Sequence, residues 1–192
     1  ITYGKLENGL TYYIRENQTP KDKVSIKLII KAGSIMEEEN QLGLAHLLEH
    51  MAFNGSKNFP KRKIDEYMSS IGLNLGSHYN ATTGFLKTSY DYEIPTKNDE
   101  DVEIALKILT DISQNLSLEP EAFERERKIV EEEWRGDIGG SQNYINEFHK
   151  LMFKNSRLNV RKPIGTLDVI QNFKYQDVID YYQKWYRPQL MG

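Results

Sequence analysis

Extended and helical patterns alternate along this chain, and the extended ones are joined by hairpin signals rather than by long crossovers. Val24, Ile26, Leu28 and Ile30 alternate with polar neighbours for most of a run that Ala32-Gly33-Ser34 closes, which predicts a strand over 24–31. Another strand is predicted over 11–15, after a turn at 6–10 carrying the hairpin pair Asn8-Gly9. Residues 73–79 and 87–94 read as a further hairpin around Thr82-Thr83-Gly84, ended by Pro95. Helices are predicted between these pieces. One covers 40–53, with Asn40 as cap and Asn54-Gly55 as terminator, and a second covers 61–71, closed by Gly72. A third spans 99–116, with Val102, Ala105, Leu106, Leu109 and Ile112 at helical spacing. A fourth opens at Glu119-Pro120-Glu121, runs to about Arg135 and stops before Gly139-Gly140. Two more cover 142–153 and 175–186, the last cut off by Arg187-Pro188. Strands and helices interleaved in this way, with antiparallel turns, predict the α+β class rather than a doubly wound parallel sheet.

At 192 residues the chain has the length for one domain with a substantial core, so 1–192 is expected to form a single domain. The net charge of −3 points away from a polyanion partner, and no nucleic acid is expected. No apolar run reaches the length of a membrane span; the best, 24–30, is broken by Ser25 and Lys27. Cysteine is absent, which excludes disulfides and thiolate metal sites, so any metal must rest on histidine and carboxylate. The first residue is Ile1 and the last pair, Met191-Gly192, follows directly on a helix stop, so the chain is expected to be an N-terminal piece of a longer one. Compartment stays open between periplasm and cytoplasm, with the periplasm favoured.

Chemistry concentrates in His46-Leu47-Leu48-Glu49-His50. Positions four apart on a helix lie one turn above each other, so both imidazoles can reach one metal ion. Glu49 follows His46 by three and turns to the same side, where a carboxylate can take a proton from a metal-bound water that zinc has acidified. The order His-x-x-Glu-His inverts the common zinc-peptidase helix. With four histidines in the chain, such a pairing is hard to obtain by chance. His78 and His149 lack this spacing and read as ordinary polar residues. A catalytic zinc needs a third protein ligand and an open fourth position. The acidic stretch Glu124 to Trp134 offers several carboxylates, and Glu126 and Glu133, two turns apart, share a face with Ile129 and Val130 between them.

These residues resemble the pitrilysin family of inverted-motif zinc peptidases (inverzincins), and its bacterial zinc-protease branch most. The resemblance covers nearly the whole chain. It is carried by Gly43-Leu-Ala-His-Leu-Leu-Glu-His-Met-Ala-Phe-Asn-Gly-Ser56, by Asn80-Ala-Thr82, by Glu124-Arg-Glu-Arg through Glu133-Trp134, by Pro163-Ile-Gly165 and by Trp185-Tyr-Arg-Pro188, in that order. It implies an antiparallel sheet with helices packed on one face, as in domains of the mitochondrial processing peptidase type. It implies one zinc ion held by His46, His50 and Glu133, with Glu49 as general base and Glu126 behind the ligands, orienting one of them. It further implies an enclosed chamber formed with a homologous C-terminal half or partner subunit. A peptide or unfolded polypeptide would add to a sheet edge there, at Asn80 and Ala81.

There are two departures. Leu86 and Lys87 stand in Gly84-Phe-Leu-Lys-Thr88 where such relatives commonly carry acids, which bears on the substrate edge and not on the metal. An Arg/Tyr pair that stabilises the oxyanion comes from the C-terminal half in this family, so this stretch alone would bind zinc yet hydrolyse peptides poorly. The competing reading is a non-catalytic subunit or half-domain that binds peptide or a partner half. Retention of His46, Glu49 and His50 favours the metalloendopeptidase.

Overall fold

The computed structural model describes residues 1–136 and 140–192. Strands β1 (Thr2–Lys5) and β2 (Thr11–Ile14) pair antiparallel around the expected Asn8-Gly9 turn. The main sheet has β3 (Lys23–Ile30), β4 (Tyr79–Thr83) and β5 (Thr88–Pro95) in the order β3-β5-β4, all antiparallel. Its two faces follow the pleat. Leu28, Ile30, Tyr79, Ala81, Tyr90, Tyr92 and Ile94 enter the core, whereas Lys27, Asn80, Asp91 and Glu93 lie on the opposite face.

Helices cover the apolar face. In chain order they are α1 (Leu44–Met51), α2 (Lys63–Ser70), α3 (Asp99–Gln114), α4 (Pro120–Gly136), α5 (Gly140–Met152), α6 (Leu167–Gln171) and α7 (Tyr175–Trp185). The α+β class and the one-sided packing of helices on an antiparallel sheet are as expected. Among the expected helix stops, Gly139 lies outside the described residues. Helix α1 is the innermost, wedged between β4, α4 and α7, with Leu44, Leu47, Leu48 and Met51 buried. This burial, rather than its own eight residues, holds it helical, because a helix of two turns is marginal in water.

Three features differ from the sequence reading. The helix expected over 40–53 is two pieces: a 3₁₀ turn at Glu39–Gln41, then α1. Between them Gly43 adopts φ +100°, a left-handed conformation that no helix runs through. The cause is a backbone crossing. A Cβ on Gly43 would lie 3.1 Å from the Gly165 Cα, and a Cβ on Gly165 would lie 2.2 Å from the Leu42 carbonyl oxygen. Gly165→Ala is therefore expected to cost at least about 2 kcal/mol, from overpacking together with a left-handed φ of +76°. Denaturant unfolding checks this, and a cost within error of zero would rule the crossing out.

The strand expected over 73–79 begins at Tyr79 instead and runs through Thr82-Thr83, which pair with Ser89 and Thr88. Residues 74–78 turn back on themselves, with the His78 amide donating to the Asn74 carbonyl at 3.0 Å. Helix α6 carries no sequence signal, since five residues leave too short a period to read. After α7, Met191 returns to the main sheet and bridges Ile30.

Candidate metal centre

His46 and His50 lie one turn apart on α1, and their rings meet edge-on with centroids 4.7 Å apart. Their Nε2 atoms face each other at 3.2 Å. Opposite them runs α4, anchored in the core by Phe123 and Val130. Near its end Glu133 brings Oε2 to 3.6 Å from both Nε2 atoms. All three donor atoms lie within 4.8 Å of one another. Tetrahedral zinc with ligands at about 2.0–2.1 Å has ligand–ligand edges of roughly 3.3–3.4 Å. The observed edges of 3.2, 3.6 and 3.6 Å match that size closely, and two imidazoles with one carboxylate are a donor set suited to zinc. Glu133 leaves nearly half of its side chain exposed, 45%, so the fourth direction is open to the cleft.

Glu126 is placed differently. It is buried, and its Oε2 sits 3.4 Å from Nδ1 of His50, on the side of the ring turned away from the cluster. A carboxylate there fixes which nitrogen of His50 carries the proton and leaves Nε2 free to coordinate. The far end of α1 is tied down by Asn54, whose Nδ2 donates to the His50 carbonyl at 3.0 Å.

Charge in the site is arranged by burial and by these carboxylates. Burial, reinforced by the neighbouring His50, pushes the His46 imidazole down to about 4, so it is neutral at physiological pH. Burial also opposes charge on His50, but the hydrogen bond to Glu126 and the charges of Glu133 and Glu49 outweigh it and raise its pKa. Both rings coordinate a dication only when neutral, so metal binding works against that shift on His50. Glu49 is buried too, and burial raises its pKa despite a 2.6 Å hydrogen bond from the Thr83 hydroxyl to its Oε2.

A cleft of about 530 Å³ opens in front of these groups, with His46, Glu49 and Glu133 at its floor, Ala81 on β4 at one wall, and Pro163 and Ile164 at the other. The structure thus brings together His46, Glu49, His50 and Glu133, with Glu126 directly behind them. The two expected substrate-edge residues separate. Ala81 lines the cleft, whereas Asn80 lies on the opposite face of the sheet beside Lys27 and Asp91. Both are still on β4, which forms an edge of the sheet. His78 and His149 take no part in the cluster.

Two residues at this site escaped the sequence reading. Thr83 reads as part of a turn in the sequence, and only its strand position aims its hydroxyl at Glu49. Glu37, one of three consecutive acids, is fully buried and holds the start of α1: Oε2 accepts the Gly43 N–H at 3.0 Å and Oε1 accepts the Ala45 N–H at 2.9 Å.

Comparison with known proteins gives a consistent result. The family model described as insulinase, peptidase family M16, matches residues 12–161. The probable zinc protease PqqL of Haemophilus influenzae is 38% identical over 192 residues, which is 100% of this chain and 21% of that protein. The crystal structure of the periplasmic protease PqqL from Escherichia coli superposes with a TM-score of 0.95 at 34% identity, covering 99% of this chain and 21% of that one. The first half of the same protease, solved separately, superposes equally well, and this chain covers 41% of it. The chain spans about a fifth of the length of the curated PqqL relatives it matches.

Proposed function

The chain belongs to the insulinase family of peptidases, family M16, and from that premise we infer that it is the zinc-holding N-terminal domain of a two-half metalloendopeptidase. The observation that carries this reading is the convergence of His46 Nε2, His50 Nε2 and Glu133 Oε2 at zinc-sized separations, with a buried carboxylate beside them and a cleft in front. Here His46, His50 and Glu133 hold the metal, and Glu126 orients His50 through Nδ1.

Zinc at this place supplies a Lewis acid and a water acidified to near neutrality. Glu49 does the proton work. Its carboxylate takes the proton of the attacking water, and once the tetrahedral species collapses it returns that proton to the leaving amine. Burial favours the protonated form and so suits Glu49 to carrying a proton between the two steps. The Thr83 hydroxyl, donating to Oε2, holds this carboxyl in place at the floor of the cleft.

The substrate is an extended stretch of peptide or unfolded polypeptide. It adds to the free edge of β4, where Ala81 and Thr83 run alongside Glu49 and main-chain hydrogen bonds give affinity without a sequence requirement. Asn80 contributes through its backbone rather than its side chain. The partner is a homologous half that closes over the cleft and completes the oxyanion site. The PqqL structure it matches is named periplasmic, and we place this protein in that compartment as well.

The test uses the full-length protein with one unfolded and one folded polypeptide as substrates. We expect cleavage of the unfolded one, loss of cleavage on chelation, and recovery on adding zinc. Undiminished cleavage by protein verified free of metal would refute the mechanism, as would inertness of the zinc-loaded protein.

A further inference from the structure

We propose that Glu37 is a positioning residue for the metal site: its carboxylate sets the N-terminal turn of α1, and through it the spacing of His46 against His50 and Glu133. This rests on the reading of those three residues as zinc ligands.

Helix α1 has eight residues, so its ends govern all of it. His46 is the third residue of the helix, within the first turn, where amide groups lack intrahelical partners. A helix ordinarily meets that need with Ser, Thr, Asp or Asn at the capping position. No side chain can serve there. Position 43 has φ +100° and lies against the backbone of Gly165, and Gly43 makes no side-chain cap. The cap comes instead from Glu37, whose two oxygens accept the Gly43 and Ala45 amides at 3.0 and 2.9 Å. One planar group gripping two amides on either side of Leu44 fixes the direction in which the helix starts, not merely its stability.

The arrangement is costly. Glu37 is fully buried, and burial pushes its carboxyl up to about 8 in spite of the amides and the nearby Arg161 guanidinium. A buried carboxylate beside a helix N-terminus is favoured by the helix dipole, yet a neutral cap would suffice if helix stability were all that was needed. The main chain of Glu37 makes a second connection. Its carbonyl oxygen accepts from Arg157 Nη2 at 2.9 Å and from Arg161 Nε at 3.0 Å. Arg161 is itself buried, is held through its carbonyl by the Ser34 hydroxyl, and stands two residues before Pro163 and Ile164 on the cleft wall. Glu37 therefore joins the start of the ligand helix to the segment that forms the opposite wall. Zinc ligands tolerate displacements of only about 0.2 Å, so slackening this joint acts on the metal first.

The decisive experiment compares wild type, Glu37→Gln and Glu37→Asp in the full-length protein. Gln keeps the length but turns its carboxamide NH2 towards one of the two amides; Asp keeps the carboxyl group but is one methylene short of gripping both. For each folded variant, zinc affinity is measured by chelator competition, the visible spectrum is taken with cobalt in place of zinc, and kcat and KM are determined separately. We expect zinc affinity to fall by about 10–100-fold, the cobalt bands to shift, and kcat to fall with KM nearly unchanged. A variant that unfolds at a lower temperature, yet binds zinc within twofold of wild type with an unchanged cobalt spectrum, would overturn the proposal and leave Glu37 a stabilising cap. Should wild type itself take up no zinc, the zinc reading falls and this proposal with it.

Discussion

Zinc is expected to leave the full-length protein when His46 or His50 is replaced by alanine. Binding energies of roughly 10–16 kcal/mol spread over four ligands amount to about 2.5–4 kcal/mol each, so each loss should weaken affinity by about 10²–10³-fold. His50→Ala should be the more damaging of the two for the fold as well. It leaves the buried carboxylate of Glu126 facing a void where an imidazole nitrogen now stands at 3.4 Å. Glu133→Ala should also empty the site, with less effect on stability because that side chain is half exposed. Glu126→Gln belongs to a different class and should weaken zinc by only about 10–100-fold, since it touches His50 and not the metal position. Metal content after dialysis against a weak chelator ranks the four variants. Full occupancy in all three ligand variants would sink the assignment.

Glu49→Gln should keep its zinc and lose its chemistry. Glutamine fills the same space and can still accept the Thr83 hydroxyl, but it cannot take a proton from water. The expected fall in kcat is about 10²–10⁴-fold, the range that a positioned general base contributes. Metal analysis together with peptide cleavage checks both halves of the statement. If the zinc-loaded variant stays within threefold of wild type, Glu49 is not the base.

Much of the local structure could be read from the chain, because local rules decide it. The Asn8-Gly9 hairpin, the alternation along β3 and the helical periods of α3, α4 and α7 need only nearest neighbours. The pair His46 and His50 was legible for the same reason: four residues apart on any helix is one face. What could not be read depends on residues far apart in the chain. Asn40 is a good capping residue by type, yet the helix starts after Gly43, because Gly165 arrives from the other end of the molecule to cross it. Thr82 and Thr83 look like turn residues until β5 pairs with them. Among the carboxylates of α4, composition offers no choice between Glu126 and Glu133. Geometry separates them, one reaching both Nε2 atoms and the other lying against Nδ1 of His50. The resemblance to inverted-motif peptidases pointed the same way, by a different route. Glu37 had no local signature at all, since its partners lie six and eight residues on, across a break in the helix.

The crossing of Gly43 and Gly165 also bears on transplantation. A five-residue motif invites the idea of a portable cassette that could be grafted onto any exposed helix of another scaffold. Here the motif's helix borrows its beginning from a glutamate upstream, its clearance from a glycine far downstream, and its end from Asn54. A graft that carried over only residues 46–50 would import two of the three ligands without their setting, and would leave Glu133 behind on α4. The smallest transferable unit is an assembly of three segments that are separate in the chain and adjacent only in space.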